Sequence, residues 1–173
     1  MESGRRHDGL RCDARAKCEN YTAVGRIIAF DVGRRRIGVA ISDASGLLAR
    51  PVGALQVRGL DAAAVDAAAE QVAKLATDDD AVSMIVVGLP RRLDGTPNEM
   101  TAPVEQFARA LKARTQLPVG FQDERLSSRE AESRLARREK DWRVRKQQLD
   151  AESAAIILQD YLDAGRVSPP VES

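Results

Sequence analysis

The strongest constraint on the fold is a pair of apolar, β-branched runs near the start of the chain. Residues 26–31 (RIIAFD) and 36–43 (RIGVAISD) both have the composition of strands, and only a short segment containing Gly33 separates them. Because so short a connection joins antiparallel neighbours, the two runs predict a β-hairpin. A third run, residues 48–57, contains Pro51, which predicts a bulge or an edge position.

Helical and strand patterns alternate along the rest of the chain. Amphipathic helices are predicted over residues 61–77, 101–115 and 149–164, and strands over residues 81–88 and 117–122. The order β-β-β-α-β-α-β-α predicts an α/β fold with a mixed sheet of about five strands and helices on both faces. We expect one folded domain over residues 26–165, a flexible N-terminal tail over residues 1–25 and a C-terminal tail over residues 166–173.

Residue content excludes several kinds of catalytic site. His7 is the only histidine and lies in the predicted tail, so a Ser-His-Asp triad or a His/Cys zinc site in the folded core is excluded. The sequence has neither a GxxxxGK[ST] phosphate loop nor a GxGxxG fingerprint after a strand. Cys12 and Cys18 also lie in the tail, where we interpret them as free thiols, with a disulfide as the alternative. Catalysis would therefore depend on carboxylates with Arg or Lys, and oxygen ligands favour Mg²⁺ or Mn²⁺.

Positive charge is concentrated in a few places although the net charge is only +1. Such clusters predict contacts with nucleic-acid phosphates, and the alternative is a solvated helix face. The candidate nucleic-acid-binding residues are Arg34, Arg35, Arg36, Arg91, Arg92, Arg143, Arg145 and Lys146. No apolar run approaches the roughly 20 residues of a membrane span, so we expect a cytoplasmic protein without membrane contact.

Three acidic positions occur where strands or helices begin or end. Asp31 ends the first strand pattern, and Asp123 and Glu124 end the last one. Asp150 opens the last predicted helix and projects from its apolar face. Each has a structural alternative: a turn aspartate, a cap or ion pair, and an N-cap, respectively. Together they predict a cluster that would need cations, such as two Mg²⁺ ions roughly 4 Å apart, to offset repulsion between the carboxylates.

Four sequence strings, in this order and spacing, resemble the YqgF (RuvX-like) family over residues 26–165. They are FDVGRRRIGVAISD (30–43), VVGLPRRLDGT (86–96), DERLSS (123–128) and DAESAAIILQDYL (150–162). The resemblance implies an RNase H-like nuclease related to Holliday junction resolvases and described as maturing the 5′ end of pre-16S rRNA. It implies nucleic acid as the partner, with ribosomal precursor particles as a further one, and a monomer or a homodimer.

The resemblance also assigns roles to particular residues. Asp31, Glu124 and Asp150 would be the catalytic metal ligands, and Arg125 would contact the scissile phosphate or hold Glu124 in place. Ser153 stands where related resolvases carry a second acid in the last helix, which leaves Asp123 as a weak candidate for a fourth carboxylate. The loop beside the site would comprise Gly33, Gly88, Pro90, Asp94, Gly95 and Thr96.

Two glycines have a direct physical interpretation. Gly33 is expected to bring the backbone close to phosphate, and Gly38 to leave one strand face open beside the site, with simple turn or bulge geometry as the alternative for each. For function, we weigh an rRNA-processing endonuclease against a dimeric Holliday junction resolvase and a non-catalytic nucleic-acid-binding module. An ATP-binding domain of the actin and sugar-kinase type is disfavoured because 173 residues leave no room for two such domains.

Overall fold

A computed structural model describes residues 25–77, 81–124 and 142–165, with side chains from residue 147 onward in the last range. Within these ranges the elements follow the predicted order. They are β1 (Arg26–Val32), β2 (Arg36–Ser42), β3 (Ala49–Gln56), α1 (Ala62–Leu75), β4 (Val82–Leu89), α2 (Thr101–Thr115), β5 (Val119–Asp123) and α3 (Trp142–Ala164). Apart from Gly25, the predicted tails 1–25 and 166–173, with His7, Cys12 and Cys18, lie outside the described residues.

The five strands form one mixed sheet in the order β3-β2-β1-β4-β5. Strand β2 pairs antiparallel with β1 and β3, which confirms the predicted hairpin. Strand β4 pairs parallel with β1 and β5. Pro51 lies in the edge strand β3, opposite the point where the register shifts, so the predicted bulge and edge position are both present. This five-stranded mixed sheet confirms the predicted α/β fold class.

The two faces of the sheet pack against different helices. Because side chains alternate along a strand, Ile28 and Phe30 of β1 face α1 and α2, whereas Ala29 and Asp31 face α3. The first face carries the larger core, and the second is a smaller cluster built on α3. Helices therefore cover both faces, as predicted.

The last helix differs from its predicted bounds. It begins at Trp142, seven residues before the predicted start at Leu149, because the polar residues before Leu149 are good helix formers that carry no apolar period. Asp150 therefore lies inside α3, and both the prediction that it opens the helix and the N-cap alternative are wrong. Within the described residues, no helix combines the length and apolar character needed to cross a lipid bilayer.

Candidate active site

The candidate site lies at one edge of the sheet, where the carboxyl ends of three parallel strands meet. Asp31 is the penultimate residue of β1, Gly88 is the penultimate residue of β4, and Glu124 follows β5 directly. The backbone N–H of Glu124 donates to the Leu89 carbonyl at 3.3 Å, so β4 fixes the position of this residue. Parallel pairing thus brings together two acids that lie more than ninety residues apart in the chain.

Asp31 and Glu124 form a hydrogen-bonded carboxyl pair, called the acid pair below. Burial raises the pKa of Asp31 to about 6, although the hydrogen bond with Glu124 opposes that rise. Burial, and next the charge of Asp31, raise the pKa of Glu124 to about 9. At neutral pH Glu124 therefore keeps its proton and donates it to the ionised Asp31.

Gly88 makes room for the Glu124 side chain between β4 and α3. A Cβ atom at position 88 would overlap Glu124 Oε1 and would lie 2.7 Å from Ile157 Cδ1 of α3. Any larger residue would therefore displace the carboxyl group from the acid pair. The resemblance had placed Gly88 in a loop beside the site, and the structure places it in β4, in contact with a predicted catalytic residue.

Gly38 brings Asp150 to the same edge. Gly38 pairs with Asp31 across the β1–β2 hairpin, and a Cβ atom at position 38 would overlap the backbone carbonyl of Asp150. The strand face at Gly38 is therefore filled by the backbone of α3, and the expectation that it stays open is wrong. Asp150 lies close enough to Asp31 for its charge to contribute to the raised pKa of Asp31.

The carboxylate of Asp150 is balanced by an arginine. Arg36 Nε lies 2.6 Å from Asp150 Oδ2, and each side chain is 23% exposed. In the part of the chain that the structure describes, no group of three or more acidic, His or Cys side chains is arranged to hold a metal ion. The three predicted acids thus meet at one edge as a protonated pair and a third acid in an ion pair.

The donor atoms of this site suit a hard divalent cation. All three acids offer carboxylate oxygens, which Mg²⁺ and Mn²⁺ prefer. Burial and mutual repulsion disfavour ionisation of both acids in the pair, and a bound cation would offset that repulsion. The residues present therefore fit the predicted cofactor chemically.

The loop after β4 owes its shape to the DGT string. Asp94 Oδ1 accepts hydrogen bonds from the hydroxyl of Thr96 at 2.6 Å and from its backbone N–H at 2.9 Å, which lower the pKa of Asp94. Gly95 adopts a φ of +85°, which glycine tolerates best. The carbonyl of Pro90 accepts a hydrogen bond from the Thr101 hydroxyl at 2.5 Å and so anchors the loop to α2. These contacts explain the motif as a tight turn.

Gly33 serves the hairpin rather than an unusual backbone conformation. Its N–H donates to the Arg36 carbonyl at 2.9 Å, and a Cβ atom would lie 2.8 Å from that same oxygen. Its φ angle is not among the positive values found for Gly25, Gly46 and Gly95. Gly33 thus has the turn geometry that sequence reasoning had given as the alternative.

The predicted basic residues that the structure describes lie in three different places. Arg34 is exposed, and its guanidinium lies 3.3 Å from the carboxylate of Glu99. Arg36 forms an ion pair with Asp150 instead. Arg34 and Arg35 line a cleft of about 350 Å³ together with Arg58. The sequence did not identify Arg58 as a candidate, because it is a single basic residue between two elements rather than part of a basic cluster. Arg91 and Arg92 are exposed on the loop after β4.

Some predicted site residues lie outside the described residues. They are Arg125 and the side chains of Arg143, Arg145 and Lys146. Of the residues weighed for a fourth carboxylate position, Ser153 is buried in α3. Asp123 is partly buried, and its charge contributes to the raised pKa of Glu124.

Two curated relatives align with this chain over most of the length of both proteins. A Burkholderia lata protein named "Putative pre-16S rRNA nuclease" is 41% identical over 137 residues, which is 79% of this chain and 88% of the relative. A protein of the same name from Thiobacillus denitrificans is 39% identical over 140 residues, covering 81% of this chain and 92% of the relative.

Solved structures are more distantly similar. T. thermophilus RuvC in complex with a Holliday junction substrate is 14% identical with a TM-score of 0.47, covering 82% of this chain and 96% of that one. A ROK hexokinase from Thermus thermophilus is 20% identical with a TM-score of 0.40, covering 62% of this chain and 38% of the hexokinase. Both similarities are weak, so family assignment rests on sequence. A family model described as "RuvX: Holliday junction resolvase" matches residues 25–164, and the chain therefore belongs to the RuvX family.

Proposed function

We propose that this chain is an endonuclease that hydrolyses phosphodiester bonds and processes the 5′ end of pre-16S rRNA in ribosome biogenesis. The observation that carries this proposal is the partly buried Asp31–Glu124 pair with Asp150 beside it, at the carboxyl edge of the sheet. Membership of the RuvX family and relatives named as pre-16S rRNA nucleases support the same activity and substrate.

Asp31, Glu124 and Asp150 would hold Mg²⁺ or Mn²⁺, and we propose two ions. In such sites these ions activate a water molecule and stabilise charge on the leaving oxygen. The chain's own part is to fix the carboxylates on rigid elements: Asp31 on β1, Glu124 against Gly88, and Asp150 against Gly38. Their position on paired strands and a docked helix limits the reorganisation that the reaction would require.

Exposed arginines would hold the substrate backbone. Arg34, Arg35 and Arg58 share one cleft, and Arg91 and Arg92 lie on the loop after β4. Contacts with phosphates position a nucleic acid but do not discriminate its sequence. The cleavage position would therefore depend on the folded shape of the precursor or on the ribosomal precursor particle.

The decisive test is cleavage of a pre-16S rRNA 5′ leader with Mg²⁺, Mn²⁺ or a chelator. We expect cleavage only with a divalent cation. Asp31→Asn should lower the rate by at least about a hundredfold, because even residues that merely support metal ligands contribute tenfold to a hundredfold. Circular dichroism and urea unfolding should show that Asp31→Asn is folded. Equal rates in this variant and the parent would remove Asp31 from the mechanism.

A second candidate is cleavage of four-way DNA, which the description of the matched family model favours. The same acids would act, but a symmetric junction calls for a two-fold dimer. A four-way DNA substrate in the same assay, with the oligomeric state measured by light scattering, separates the two candidates. Binding without cleavage of either substrate, unchanged in Asp31→Asn, would instead indicate a non-catalytic module.

A further inference from the structure

Arg36 occupies a different environment from the arginine two positions before it. Arg34 is 65% exposed and pairs with the exposed Glu99, whereas Arg36 is 23% exposed and has its Nε 2.6 Å from Asp150 Oδ2. Arg36 begins β2 and Asp150 lies in α3, so this ion pair joins the sheet to the helix at the site. Arg36 is therefore paired with an acid of the site, whereas the exposed Arg34 and Arg35 are better placed to bind substrate phosphates.

The backbone of Asp150 has little freedom, and among the described residues its side chain interacts with two groups of opposite charge. The carbonyl of Asp150 fills the space beside Gly38, which lies two residues after Arg36 on β2. The guanidinium of Arg36 lies against its carboxylate, and Asp31 of the acid pair is near enough for the charge of Asp150 to raise its pKa. Because opposite charges attract and like charges repel, the carboxylate favours Arg36 unless a cation lies between the acids.

We propose that Arg36 is a positioning residue that holds the Asp150 carboxylate apart from the acid pair, and that a divalent cation must compete with Arg36 for this carboxylate. The inference rests on the proposed metal-dependent function and adds that the Arg36–Asp150 ion pair lowers the affinity of the site for the cation. It agrees with the arrangement in the described residues, where the acids form a pair and an ion pair rather than a group of three. Arg36 would thus set the cation concentration at which the site becomes complete.

The test is calorimetric titration of the full chain with Mn²⁺ in the absence of nucleic acid. Arg36→Met should bind Mn²⁺ about fivefold more tightly than the parent, since a partly exposed ion pair no longer competes. Arg36→Lys, which keeps the charge but not the guanidinium, should lie between them. Arg50→Met removes a charge from an exposed position on β3 and should match the parent within about twofold, as expected for a distant, screened charge.

Repeating the titration with Asp150→Asn separates this ion pair from a general effect of charge. If Arg36 acts through Asp150, then Arg36→Met should change Mn²⁺ affinity in the parent and leave it unchanged in Asp150→Asn. Weaker or unaltered binding in Arg36→Met would overturn the proposal, as would a gain that persists in Asp150→Asn.

Metal binding and cleavage can fail separately. If neither the parent nor Arg36→Met binds Mn²⁺, the result contradicts both this inference and the proposed metal dependence of cleavage. If all affinities are as expected but the parent cleaves neither rRNA leader nor four-way DNA, the inference about Arg36 is confirmed and the proposed nuclease activity is contradicted.

Discussion

The two faces of the sheet are built from side chains of different size. The face under α1 and α2 is filled by large apolar residues such as Phe30, Ile37 and Leu111, all buried. The face under α3 has many small residues, although Val86 on β4 and Ile157, Leu158 and Leu162 on α3 are also buried there. The small residues are Ala29, Gly38, Ala40 and Gly88 on the strands and Ala151, Ala154 and Ala155 on the helix.

This difference separates what stabilises the fold from what positions the site. Large apolar side chains remove the most surface from water, so the α1–α2 face supplies most of the hydrophobic stabilisation. Small residues let the α3 backbone approach the strands until the Asp150 carbonyl touches Gly38. The backbone of Asp150 is thus positioned by a backbone contact, and its carboxylate is then held by Arg36. Substitutions on each face can distinguish the two contributions.

The largest effect is expected from Gly38→Ala. The new Cβ atom would overlap a backbone carbonyl, which cannot rotate away as the end of a side chain can. We expect a loss of about 4 kcal/mol or more in the free energy of unfolding, because overpacking against backbone forces α3 to shift. Urea unfolding followed by circular dichroism measures it.

Gly53→Ala is the matched control for Gly38→Ala. Gly53 also lies in a strand, β3, but a Cβ atom there meets nothing within 4 Å. The stability of this variant should stay within about 1 kcal/mol of the parent. A similar loss in both variants would mean that alanine in a strand, not the approach of α3, accounts for the effect at Gly38.

A somewhat smaller effect is expected from Leu111→Ala on the opposite face. Leu111 is fully buried in α2, and its truncation should cost about 3 kcal/mol through lost burial and the cavity left behind. If the faces are separate in role, Mn²⁺ affinity and cleavage rate should match the parent under conditions where both proteins are folded. A parallel loss of Mn²⁺ affinity would show that the α1–α2 core also positions the acids.

The sequence was sufficient to predict the elements of the described chain, because apolar periodicity marks buried faces directly. The hairpin, the parallel β4 strand and helix α2 over Thr101–Thr115 all follow from local pattern. The start of α3 could not be predicted in this way, since its first turns carry no apolar period. At the site, periodicity identified the residues but not their partners, because the Arg36–Asp150 ion pair and the filled space at Gly38 depend on how α3 docks.

The last effect is a change of stability with pH, and it concerns the acid pair without divalent cations. Both folded-state pKa values are raised, to about 6 for Asp31 and about 9 for Glu124, above those of ordinary carboxyls in the unfolded chain. Between the ordinary carboxyl pKa and a pH of about 9, the native chain therefore binds more protons than the unfolded chain. Its free energy of unfolding is highest at acidic pH and falls as pH rises, by about 1.4 kcal/mol per pH unit for each proton in excess.

Glu124→Gln should flatten the upper part of that pH dependence. The neutral amide can still donate a hydrogen bond to Asp31 but has no proton to lose, so between pH 6 and pH 9 the decline in stability assigned to Glu124 should vanish. Urea unfolding in chelator at several pH values measures this, and at pH 8 the variant should be more stable than the parent. A parent whose stability is flat over the same range would show that the two acids do not share a proton, and the electrostatic contrast between the α3 face and the apolar α1–α2 face would then be lost.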